Sequence, residues 1–174
     1  MEELKYPIGK YVPQPFSEQQ LREWLFDIET LPLHIEHAIL NLDEAQLQTA
    51  YRPGGWTVHQ LVHHVADSHM NAYIRFKLGL TEDNPTIKPY EEKLWAEMAD
   101  TKNLPINISA TILFALHKRL LEVLKNVSAD EWNRTVFHPE HQKTMTLWHL
   151  LGMYAWHGKH HTAHITKLRE RQGW

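Results

Sequence analysis

No segment of this chain alternates apolar and polar residues over a useful length, whereas four long segments repeat apolar residues three and four apart. Strands need the first pattern and amphipathic helices the second. The sequence therefore predicts an all-α fold with no significant sheet. Ser17 and Gln20 make a capping-box pattern, and Leu21, Trp24, Leu25 and Ile28 continue the first helix to about Leu40. Pro32 should kink or interrupt it. Thr57 and Gln60 open the second helix after a Pro53-Gly54-Gly55 break, and it runs to about Leu80. The third spans about Ile106 to Lys125 and the fourth about Thr146 to Arg169. Short capped turns begin at Asp43 and Ser128, a short helix covers about Tyr90 to Met98, and 133–143 reads as a polar loop. Residues 1–16, with Pro7, Pro13 and Pro15, read as an extended N-terminal arm.

Leu42-Asp43-Glu44-Ala45-Gln46-Leu47 and Val127-Ser128-Ala129-Asp130-Glu131-Trp132 echo one another ahead of the second and fourth helices. Four long helices in two similar halves point to a four-helix bundle with short extra helices, an architecture whose core hosts metal sites on facing helices. At 174 residues the chain is expected to form a single domain, 1–174. Its net charge is only -3 and its basic residues are scattered, which argues against a nucleic-acid partner. The longest apolar runs are far too short for a bilayer, and the start, MEELKYPIGKYVPQPF, lacks a signal-peptide layout. The expectation is a cytoplasmic protein without a membrane partner. There is no cysteine, so any metal must be held by imidazole, carboxylate and water, which favours an open, reactive site over a closed structural one.

Nine of the fourteen histidines occupy two of the helical segments: His59, His63, His64 and His69 in one, His149, His157, His160, His161 and His164 in the other. Residues four apart share a helix face, and neutral imidazole is a common metal ligand. On the last helix Leu147, Leu150, Leu151, Tyr154, Ile165 and Leu168 define the apolar stripe. At about 100° per residue His161 falls near its middle and His157 near its edge, His164 lies slightly further round, and His160 points well off it. On the second helix His64 lies at the edge of the stripe of Val58, Leu61, Val65, Ala72 and Phe76, His69 lies within the apolar sector, and His63 points largely to solvent. His64, His157 and His161 are therefore the candidate ligands. His34, His37, His117, His138 and His141 take a structural reading, as do the seven tryptophans. Asp67, one turn after His64, has the choice of orienting a ligand or acting as a base, or of a surface salt bridge, and the salt bridge is the simpler role.

Gly54-Gly55-Trp56-Thr57-Val58 followed by His63-His64-Val65-Ala66-Asp67, with the later run His157-Gly158-Lys159-His160-His161-Thr162-Ala163-His164, resembles the DinB-like superfamily, in particular its YfiT-type metal-dependent hydrolases. The resemblance extends over nearly the whole chain. The superfamily's H-x-x-H-H-x-G-Q motif places metal on its first and third histidines, here His157 and His161. A further ligand about two turns after the helix-opening tryptophan corresponds to His64. Ala163 and His164 depart from the usual Gly-Gln ending. The resemblance implies a four-helix bundle, a homodimer and one divalent metal per subunit, zinc first and nickel as the alternative. It implies hydrolysis of a small-molecule substrate by metal-activated water, with no catalytic side chain assigned beyond the ligands. The same superfamily admits thiol S-transferases, which would use the same three histidines to activate a low-molecular-weight thiol. A non-catalytic metal-binding bundle is the third reading, and it requires a closed fourth position, from His164 or Asp67.

Overall fold

The side-chain oxygens of Ser17, Thr57 and Thr146 accept the backbone N–H of Gln20, Gln60 and His149, each at 3.1 Å, and so fix where three long helices begin. The computed structural model describes residues 2–174; Met1, part of the expected arm, lies outside the described residues. Eight α-helices follow in order among the described residues: α1 Glu2–Lys5, α2 Glu18–Ile39, α3 Glu44–Leu47, α4 Val58–Thr81, α5 Glu92–Trp95, α6 Ala99–Asn103, α7 Ile106–Lys125 and α8 Leu147–Gln172. The all-α bundle is as expected. α2 packs against α7 and α8, and α4 packs against the same two, which closes a four-helix ring.

Three details differ from expectation. The 133–143 stretch is not a loop throughout: β1 Thr135–His138 and β2 Lys143–Thr146 pair antiparallel, Thr135 opposite Thr146 and His138 opposite Lys143. Strands of four residues are too short to reveal alternation. The arm carries one helical turn, α1, before it runs along α8, where Trp148 and Trp156 donate their indole N–H to the carbonyls of Gln14 and Gly9 at 2.7 and 3.1 Å. α2 also continues through Pro32. A proline cannot donate to the carbonyl four residues back, here that of Ile28, and this buried acceptor instead meets His117 Nδ1 at 2.6 Å. A neighbouring helix replaces the bond that Pro32 lacks.

The core divides into two apolar clusters. One gathers Trp24, Ile28, Phe76, Leu120, Leu150 and Tyr154. The other gathers Leu31, Ile35, Leu61, Val65, Leu113 and Ile165. Where the clusters meet along α4, α7 and α8 the sequence places His64, His69, His117, His157 and His161. Among the described residues no helix is long and apolar enough to cross a membrane.

Candidate metal centre

α4 carries His64 into the bundle, and α8 carries His157 and His161 one turn apart toward it. Their Nε2 atoms converge, with His157 at 3.0 Å from His161 and 3.3 Å from His64. Two nitrogens on one tetrahedral metal at about 2.0–2.1 Å lie roughly 3.3 Å apart, so the imidazoles already hold about the spacing that an ion demands. Burial pushes His64 down to about 4. Burial first, then the neighbouring imidazoles, holds His157 and His161 well below the ordinary histidine value. Neutral rings with bare lone pairs are the form that binds metal, so the donor set fits a divalent cation.

The bond at Ile28 reaches this centre through two more rings. A carbonyl only accepts, so His117 Nδ1 carries the proton, and His117, pushed down to about 4 by burial, is neutral. Its Nε2 must then accept from His69 Nδ1–H, 3.0 Å away. His69, wholly buried, is left with an unprotonated Nε2 that has no partner. Its ring lies 5.6 Å from that of His157, whose Nδ1 is also buried without a partner. A metal held by His157 Nε2 would leave the proton on Nδ1, a donor on the ring that neighbours the bare Nε2 of His69. Nitrogen NMR is expected to report His117 and His69 as Nδ1–H tautomers. In Pro32→Ala the restored amide competes for the Ile28 carbonyl, and His117 is expected to lose its fixed tautomer. An unchanged spectrum would contradict this chain of bonds.

Two histidines lie elsewhere than the helix faces implied. His63 is buried: Leu104 O accepts from its Nε2 at 3.1 Å, and its Nδ1 accepts from the Ser109 hydroxyl at 2.7 Å. The segment leading into α7 covers what was read as a solvent face. His160 is buried as well, stacked 4.5 Å from Trp156 under the N-terminal arm, with its Nε2 3.1 Å from that of His164. His160, His161 and His164 form a second group able to surround an ion, and His138, Glu140 and His141 a third. The charges of Arg52 and Arg171 oppose a cation at the second. No arginine or lysine acts on His64, His157 or His161. Of the two groups that share His161, the first is the electrostatically favourable one.

His164, turned to His160, does not complete the first group, and Asp67 belongs to none of the three. Nor is Asp67 in any ion pair among the described residues. Burial, and then Asp100, raises its carboxyl to about 6. A carboxyl whose folded pKa is raised contributes stability below its unfolded value, and that stability is lost as pH rises through 6. Asp67→Asn is therefore expected to raise the melting temperature at pH 8 and leave it unchanged near pH 3. Equal effects at both pH values would contradict this.

A cavity of about 480 Å³ opens beside His157, lined also by Ser68, Arg75, Tyr90, His138 and Tyr154. Arg75 escaped the reading of the sequence. Its signal was a lone charge one residue before the buried Phe76 on the apolar side of α4.

The chain matches the model of the DinB superfamily over residues 30–165. YfiT from Bacillus subtilis, described as a probable metal-dependent hydrolase with an unusual four-helix bundle topology, superposes with a TM-score of 0.96 at 45% identity, covering 99% of both chains. Relatives from Bacillus cereus and Bacillus thuringiensis, both 52% identical over the full length of each chain, carry provisional names as metal-dependent hydrolases. Fold, histidine motifs and full-length similarity agree: this chain belongs to the DinB superfamily and is of the YfiT type.

Proposed function

We propose that the chain is a metal-dependent hydrolase of a small molecule, with one divalent metal, zinc first and nickel as the alternative, on His64, His157 and His161. The observation that carries the reading is the convergence of three neutral Nε2 atoms beside a cavity. Bound there, a divalent metal supplies Lewis acidity and, for zinc, brings the pKa of water down to about 7. The three imidazoles provide neutral donors. His64 and His161 are buried and His157 is half-buried, and the cavity beside His157 gives a substrate a way in. Arg75, held by Tyr154 and the Lys88 carbonyl at 2.9 and 3.2 Å, stiffens the far wall.

Turnover of a panel of activated esters and amides tests this. Activity is expected in the metal-loaded protein, lost on chelation, restored by metal, and absent in His157→Ala. Coupled consumption of a thiol and an electrophile, with no hydrolysis, would move the assignment to group transfer. A homodimer completes the proposal. It is supported by the exposed Phe26 and Leu33, seven apart on α2, with the exposed Leu40 capping its end. Sedimentation is expected to report about twice the 20.6 kDa chain mass; a species of chain mass would contradict it.

A further inference from the structure

Arg75 is ion-paired with no carboxylate among the described residues, yet it is only 8% exposed. Two of its N–H groups are held by neutral acceptors, the Tyr154 hydroxyl and the Lys88 carbonyl. Its Nε is buried with no partner. A guanidinium cannot shed its charge by losing a proton, and an uncompensated buried charge is a standing cost to the fold. An apolar side chain of similar length would fill the same space without that cost. The residue also lines the cavity that reaches His157. The two hydrogen bonds fix the guanidinium in place.

From these observations we infer that the cavity binds the carboxylate of a substrate, with Arg75 as its receptor and the group to be cleaved directed toward His157. This deepens the hydrolase reading and rests on it. A guanidinium binds a carboxylate through charge-assisted N–H bonds, and each Arg75 Nη keeps a second N–H beyond the one that Tyr154 or the Lys88 carbonyl accepts. Phosphate would satisfy the same donors. However, the exposed Glu91, Glu92 and Glu140 line the same cavity, and their repulsion weighs more heavily on a dianion than on a single carboxylate. The buried part of the wall, Arg75 with Ser68 and Tyr154, offers hydrogen-bond donors. The cavity thus takes the anionic group at its buried wall and keeps its acidic side chains exposed.

The test titrates monomethyl succinate and dimethyl succinate into protein with and without zinc, following the Nε–H resonance of Arg75 by NMR and affinity by calorimetry. The half-ester is expected to bind and shift the Arg75 signal, and the diester to do neither. Arg75→Gln is expected to weaken the half-ester at least tenfold. Arg75→Lys, which keeps the charge and guards against a folding defect, is expected to retain part of the affinity. Inorganic phosphate is expected to bind more weakly than the half-ester. Equal binding of half-ester and diester would overturn the inference, as would full affinity in Arg75→Gln, or binding that vanishes with the zinc while Arg75 is intact. Protein that binds zinc but not the half-ester sinks this inference alone. Protein that binds the half-ester but no zinc sinks the hydrolase reading instead.

Discussion

The metal-free protein is expected to unfold cooperatively as the pH is lowered from 7 toward 4. Its core holds His64, His69, His117, His157 and His161 neutral, each lowered by burial, His64 and His117 to about 4 and the others well below the ordinary value. A histidine whose folded pKa is depressed contributes stability above its unfolded pKa of about 6.5, and that stability is lost as pH falls toward the folded value. Each proton taken up on unfolding changes stability by about 1.4 kcal/mol per pH unit, so five together approach about 7 kcal/mol per unit once the unfolded chain is fully protonated. Total stabilities are about 5–15 kcal/mol, which puts the midpoint at about pH 5. Far-UV circular dichroism against pH would follow it, and zinc, which competes with protons for the same nitrogens, is expected to move the midpoint down. A metal-free protein still folded at pH 4 would show that these rings are not held neutral.

Gly152→Ala is expected to be the most damaging single-methyl substitution on α8. A Cβ there would lie 2.5 Å from Trp24 Cη2 and 2.5 Å from Tyr11 Oη. Both are parts of rigid rings, and Trp24 is packed 4.3 Å from Trp148, so Trp24 cannot turn aside. Overpacking of this kind costs about 1–3 kcal/mol, and the better helix propensity of alanine returns only about 1 kcal/mol. At Gly158 the new Cβ would meet Leu31 Cδ2 at 2.7 Å and Cδ1 at 2.9 Å. These are the ends of a flexible side chain, and Gly158→Ala is expected to fall within about 1 kcal/mol of the parent. Thermal melts of the two variants side by side decide the matter. If Gly158→Ala were the more damaging, the close approach of α2 and α8 would be set elsewhere than at Trp24.

Much of this was legible because the signals were local. The caps at Ser17 and Thr57 and the apolar spacing on α4 and α8 depend on neighbours within a turn, and α4 and α8 are the helices that carry His64, His157 and His161. What sequence missed was set by distant segments. His63 and His160 read as outward because a helical wheel sees one helix at a time. The chain around Leu104 and the N-terminal arm cover those faces. The Ile28–His117–His69 bonds join three helices and follow from a proline that seemed a helix breaker. Arg75 was passed over because a single charge on a stripe gives no hint of whether its partner is protein or ligand.

Metal content by elemental analysis, on protein purified without a histidine tag and beside His64→Ala, His157→Ala and His161→Ala, tests the central claim most directly. The expected result is about one divalent metal per chain in the parent and none in each of the three variants, with helical content kept. Metal retained in all three variants, or none in the parent even after incubation with zinc or nickel, would contradict it and leave the three histidines as packing residues.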